Sequence, residues 1–96
     1  MSANIASAPD HGRPLVLIGT DNKRKPRQAF ANDLFVLSDD EFVKQAETII
    51  WLSAYADNNS RSDYHWQADA CYSEAARRKR PDLYELAWKR ASDSVS

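Results

Sequence analysis

Ninety-six residues make one domain, with room for a single core and a single site. A net charge of −1, from 13 Lys and Arg against 14 Asp and Glu, argues against a protein that coats nucleic acid with its whole surface. One cysteine excludes an intramolecular disulfide and a tetracysteine zinc site, and no apolar run or basic-then-apolar start predicts insertion or export, so a reducing, cytoplasmic setting is expected.

Residues 1–13 are rich in Ala, Ser, Asn and Pro without periodicity and are expected to form a mobile N-terminal arm. The single small domain then spans 14–92, and 93–96 reads as a frayed tail. Leu15 to Ile18 is an apolar run closed by Gly19, the first strand candidate. After a polar, basic loop, Leu34 to Leu37 is a second apolar run. The two predict a short strand pair, or an extended arm, at about 15–18 and 34–37, which needs helices to cover it.

Three helices are expected to supply that cover, at about 38–56, 62–79 and 81–92, giving an α+β domain that is mostly α. Ser38 with Glu41 three residues later forms a capping box, and Leu37 and Phe42 stand where a hydrophobic staple would pair them. On the first helix Phe42, Ala46, Ile49, Ser53 and Ala56 make one stripe, broadened by Val43 and Ile50, while Trp51 and Tyr55 fall on another side. On the second, Tyr64, Ala68, Cys71, Tyr72 and Ala75 predict the core stripe, with Trp66, Ala70, Ser73 and Arg77 behind it. Glu74 and Arg78 form an i,i+4 pair there. Pro81 ends that helix and suits the first position of the next, whose apolar face gathers Leu83, Tyr84, Leu86, Ala87, Trp88 and Ala91.

Charge is uneven along the chain. Residues 1–30 carry five basic and two acidic side chains, residues 31–60 one and six, and residues 61–96 seven and six. Two basic runs stand out, Lys23-Arg24-Lys25-Pro26-Arg27 and Arg77-Arg78-Lys79-Arg80.

Catalytic motifs are sparse. Two glycines cannot build a Walker loop or a dinucleotide fingerprint. Asp39, Asp40 and Glu41 are explained by helix capping and the macrodipole. His65 and Asp69 share a helical face and could hold a divalent ion. Cys71 points away from both, however, and His11 in the arm is the only other histidine, so no metal, no cofactor and no enzymatic activity are expected. Cys71 itself reads as a core thiol.

The aromatic residues outside the core stripes point instead to recognition. Trp51, Tyr55 and Trp66, with Arg77 and Arg78, have the residue types enriched in interface hot spots and are the candidate contacts for a protein partner. A homodimer through the same faces is a further expectation. The alternative is nucleic-acid binding through Lys23, Arg24, Lys25, Arg27, Lys79 and Arg80, with aromatic rings as stacking platforms.

The segment holding Trp66, Asp69, Cys71, Tyr72, Glu74, Arg77, Arg78, Pro81, Leu83 and Tyr84, about a third of the chain, resembles the helical cores of small accessory proteins encoded by bacteriophages of actinobacterial hosts. The resemblance implies a non-catalytic protein that binds a host protein or counters a host defence, acting in the host cytoplasm.

Overall fold

The computed structural model describes residues 12–56 and 61–94. Most of the expected arm at 1–13, the helix break at 57–60 and the last two residues of the tail lie outside them. Four helices form: α1 (Arg27–Phe35), α2 (Asp39–Trp51, continued by one π-helical turn, Leu52–Ala56), α3 (Asp63–Arg77) and α4 (Pro81–Asp93). The mostly-α class stands, but the strand pair does not form. Among the described residues the only strand-like pairing is an isolated antiparallel bridge between Thr20 and Pro26.

The second expected strand fails because Leu34 and Phe35 end a helix. α1 has no side-chain cap, with Pro26 at its N-cap position. What holds it is packing: Ala31 and Leu34 are buried and Phe30 is packed against the core, the i, i+1, i+4 set of one helical face. Phe30 meets the Trp66 ring of α3 edge-on, with centroids 5.4 Å apart. The segment at 15–18 is extended, as one of the two expectations had it, but its partner is a side chain. The Gln28 amide accepts from the Leu17 N–H at 2.9 Å and donates to the Leu15 carbonyl at 2.7 Å, as a neighbouring strand would. Leu17 packs on the core while Val16 and Ile18 face outward.

The basic loop is shaped by Asp21. Its carboxylate accepts from the N–H groups of Lys23 and Lys25 at 2.8 and 2.9 Å, and these bonds, Lys25 first, hold it below the usual 3.8. Gly19, at φ +94°, turns the chain where a side chain would be strained. Asn22 ties the loop to the start of α3 through its N–H, 3.0 Å from Asp63 Oδ1.

α2 begins as the sequence predicts. Ser38 Oγ accepts from the Glu41 N–H at 3.2 Å and Glu41 Oε1 accepts from the Ser38 N–H at 2.9 Å, completing the capping box. Its buried face is Phe42, Val43, Ala46, Ile49 and Ile50. Asp39 meets Arg80 just before α4, and the last turn of α2 lies beside the end of α4, so these two helices run parallel. Ala46 on α2 and Ala87 and Ala91 on α4, all fully buried, let the backbones approach closely. α3 runs antiparallel to both, and α1 lies on its far side.

α3 buries Ala70, Cys71, Glu74 and Ala75. The core stripe is therefore rotated from the expected one. Tyr72 is 60 % exposed, Tyr64 and Ala68 are half-buried, and Ala70, expected behind the stripe, is inside. The cause is that α3 is packed on two sides, by α1 as well as by α2 and α4. Its C-terminus is a Schellman turn: the Lys79 N–H bonds the Ala76 carbonyl and the Arg80 N–H bonds the Ala75 carbonyl, both at 2.9 Å. Lys79 takes the left-handed position, φ 60°, usually held by glycine. Pro81 then opens α4 at its first turn, as expected. α4 extends through Asp93, into the expected tail, where Lys89 pairs with Asp93 at 3.1 Å.

Candidate functional site

The bundle has two unlike ends. At the corner between α3 and α4 the basic run turns inward. Glu74 has no exposed surface, and two guanidinium groups close on it: Arg77 Nε at 2.9 Å from Oε1, and Arg78 Nε at 2.7 Å from Oε2. Burial alone would raise this carboxyl, but the hydrogen bonds and charges of Arg77 and Arg78 together outweigh it and hold it below 4.5. Arg78 also donates to the carbonyls of Leu34 and Leu37 at 2.8 and 2.9 Å and pairs with Asp39 at 2.9 Å. One side chain of α3 thus satisfies the end of α1, the loop after it and the start of α2. The guanidinium of Arg78 lies 4.8 Å from the Phe42 ring centroid, and that of Arg77 lies 4.9 Å from the ring of Phe35.

These contacts settle where five predicted partner residues lie. Arg78 is 10 % exposed and Arg77 19 %, both in the corner network. Trp66 is half-buried between α1 and α3, with Arg27 4.8 Å over its ring and its Nε1 donating to Asp63 at 2.8 Å. Trp51 and Tyr55 are on the surface at the opposite end, 37 % and 41 % exposed.

The residues predicted for nucleic acid fall into two groups, at opposite ends of α3. The first run lies by the start of α3 and the second at its end, and the fifteen residues of α3 span about 22 Å. Arg27 is engaged with Trp66 and the Thr20 carbonyl. Arg80 is paired with Asp82 at 2.9 Å and with Asp39 at 3.4 Å. Lys23, Arg24, Lys25 and Lys79 are exposed.

At the open end one further ring stands beside the predicted partner contacts. Trp88, assigned to the apolar face of α4, is 39 % exposed and meets Tyr55 edge-on with centroids 6.3 Å apart. Tyr55 Oη is 3.1 Å from Ser92 Oγ, which fixes the phenol against α4. The signal was present in the spacing: Leu83, Ala87 and Ala91 alone complete a buried stripe, which leaves Trp88 on its edge. Tyr55 and Trp88 are therefore in contact where α2 and α4 end together, and Trp51 lies on the surface four residues before Tyr55 on α2.

Two concavities flank these rings. One, of about 350 Å³, is walled by Glu47, Thr48, Trp51, Leu52 and Ser94. The other, of about 340 Å³, opens between the π-helical turn of α2 and the helices α3 and α4. Ile50, Ala54 and Ala68 give it apolar walls, and Tyr84 and Trp88 add ring surface. Ser53, His65 and Asp69 are its polar members. Ser53 Oγ is 2.9 Å from His65 Nδ1, a bond that ties the wide last turn of α2 to the first turn of α3. His65 and Asp69 do line the same cleft, as their spacing predicts. Among the described residues no three His, Cys, Asp or Glu side chains converge, so nothing there completes a metal site. Cys71 is buried, and desolvation, then the negative charge of Glu74, pushes its thiol up to about 12. The core reading of that thiol is the one the structure bears out.

Comparison with protein-family models, with curated proteins and with solved structures finds no match to this chain. No helix among the described residues is long and apolar enough to cross a membrane.

Proposed function

We propose that the protein acts by stoichiometric, non-catalytic binding of another protein, through the exposed rings of Trp51, Tyr55 and Trp88 near the shared end of α2 and α4. The observation that carries this reading is the exposure of three large rings, each about two-fifths exposed and two of them in edge-on contact, near the shared end of two parallel helices. Aromatic residues that bury 150–250 Å² each have roughly 60–100 Å² apiece left to desolvate, about 5–7 kcal/mol gross for three at 25 cal/mol/Å². That is the scale of a hot-spot cluster inside a larger interface.

Trp66, Arg77 and Arg78 leave the proposed contact set, because helix packing engages them. The resemblance to phage accessory proteins supplies the proposed partner class, a host protein in the host cytoplasm. Nucleic-acid binding has less support, since its two basic runs lie at opposite ends of α3, which spans about 22 Å, and their Arg27, Arg78 and Arg80 already have internal partners.

Site-specific photo-crosslinking tests the proposal. A crosslinking side chain at position 51 should trap a protein of defined mass from a host lysate, and one at position 23 should not. Trp51→Leu, which keeps an apolar stem and so the fold, should lose a partner captured by the wild type. Light scattering separates a second copy of the chain from a foreign partner. A nucleic-acid adduct at position 23, with a gel shift that weakens steeply with salt and no protein adduct at 51, would overturn the reading.

A further inference from the structure

We infer that the cleft between the π-helical turn of α2 and the helices α3 and α4 receives a lysine or arginine side chain of the bound partner. This rests on the proposed docking face, whose Trp88 forms one wall of the cleft, and it gives the partner a chemistry: a basic side chain projecting from its contact surface.

Size favours a single side chain. At about 340 Å³ the cleft is at the small end of the range for ligand pockets. Its walls suit an amphipathic guest, since Ile50, Ala54 and Ala68 offer methyl and methylene surface for a three- or four-carbon stem. The rings of Tyr84 and Trp88 are the surfaces over which a cation is attracted.

Charge then selects the head group. Asp69 is exposed and lines the cleft, and among the described residues it makes no ion pair. Asp33, Asp40, Glu47 and Glu85 are likewise without an ion pair among the described residues but lie outside this cleft, whereas Glu74 is engaged by Arg77 and Arg78, Asp39 by Arg78 and Arg80, Asp82 by Arg80, Asp93 by Lys89, and Asp63 by Trp66 and Asn22. No lysine or arginine lines this cleft or the neighbouring groove, where Glu47 adds a second carboxylate. His65 is held by Ser53 at the Nδ1 side. Burial above all pushes the Tyr84 phenol up, against a lowering hydrogen bond with Trp88 and with smaller raising contributions from Cys71 and Asp69. A positive group entering the cleft meets one carboxylate without an ion pair and two aromatic rings. A negative group meets repulsion.

The π-helical turn explains why such a cleft exists at the end of a helix pair. A wider turn at Leu52–Ala56 places Ser53 and Ala54 across from α3, and widened turns of this kind recur at binding sites.

Chemical-shift mapping of the ¹⁵N-labelled full chain with blocked tripeptides tests the inference. The probes are acetyl-Gly-Lys-Gly-amide, its arginine counterpart, and counterparts with norleucine and glutamate. The lysine and arginine peptides should move the Trp88 indole N–H and the amides of Ala54, Ala68 and Asp69, with the norleucine peptide at least about threefold weaker and the glutamate peptide weaker still. Asp69→Asn should lower lysine-peptide affinity about three- to fivefold, with an unchanged thermal midpoint certifying the fold. Equal binding of norleucine, unchanged affinity in Asp69→Asn, or no shift in the cleft would each overturn it. Trp51→Leu, outside the cleft, should leave the peptide titration unchanged while removing partner capture. A silent cleft with intact capture therefore defeats only this inference, and a lysine-binding cleft without any protein partner defeats only the proposed function.

Discussion

Two carboxylates on α3, Glu74 and Asp69, set the two ends of the molecule against each other. Glu74 is sealed into the corner with two guanidinium groups on it, and through Arg78 it organises the ends of three helices. Asp69, midway along α3, is exposed in the cleft that opens toward the other end, beside the half-buried Tyr84 and the exposed Trp88. Less than two helical turns separate them. A charged side chain becomes structural when its neighbours desolvate it, because a buried ion must be matched in place. It stays available for a ligand when they do not. The same contrast sorts the aromatic residues: Trp66 is used between α1 and α3, whereas Trp51, Tyr55 and Trp88 are left over where α2 and α4 end.

Removing the buried charge should break the corner and give the largest effect. Glu74→Gln keeps the shape but leaves Arg77 and Arg78 facing a neutral amide, and it should cost about 3 kcal/mol in urea unfolding. Glu74→Asp, which keeps the charge on a shorter stem, should cost less and guards against a variant too unstable to measure. The pH profile carries a second signature. The folded Glu74 carboxyl lies below its ordinary 4.5, so its contribution is complete above that pH and is lost as pH falls through the lowered folded value. The wild type should lose stability across that acid window, and Glu74→Gln should show a flatter profile there. An equally steep acid slope in Glu74→Gln would place the corner's stability elsewhere.

Local signals in the sequence carried most of the helical frame. The Ser38 and Glu41 box and Pro81 at the start of α4 depend on neighbours within a turn, and both stand in the structure. What the sequence hid depends on distant partners. α1 has no side-chain cap and only a weak apolar face, so Leu34 to Leu37 reads equally as a strand, and Phe30 and Leu34 become helical through packing that includes Trp66. Glu74 looked like one member of a surface i,i+4 pair because nothing in its spacing shows that α1 covers α3 from the other side. That second covering layer also rotates the α3 stripe, exposing Tyr72 and burying Ala70. At the open end Trp51 and Tyr55 were legible from helical angle. Trp88 was legible only from the spacing of Leu83, Ala87 and Ala91, which leaves it on the edge of an apolar stripe wider than its neighbour can cover.

The corner turn gives a smaller, opposite effect. Lys79 sits at φ 60° in the Schellman position without any charge partner among the described residues, so its side chain adds strain there and little else. Lys79→Gly should stabilise the protein by about 0.5–1 kcal/mol and raise the thermal midpoint by a few degrees. Because the substitution also deletes a cation from the second basic run, a gain in stability without any change in partner capture would separate the run's structural use from binding. A loss of capture on Lys79→Gly would move the binding face toward the corner.

The smallest expected change in stability is at the other carboxylate. Asp69→Asn removes one negative charge from α3, as Glu74→Gln does, but from an exposed position with no ion pair to break among the described residues, so urea unfolding should move by no more than about 0.5 kcal/mol. Set beside about 3 kcal/mol at position 74, the difference measures what burial does to one chemical group on one helix. If Asp69→Asn instead destabilised the fold by more than about 1 kcal/mol, Asp69 would be supporting the bundle and could not be the carboxylate held open for a basic ligand. A flat stability profile with a weakened lysine-peptide titration is the result that assigns the two acids their separate work.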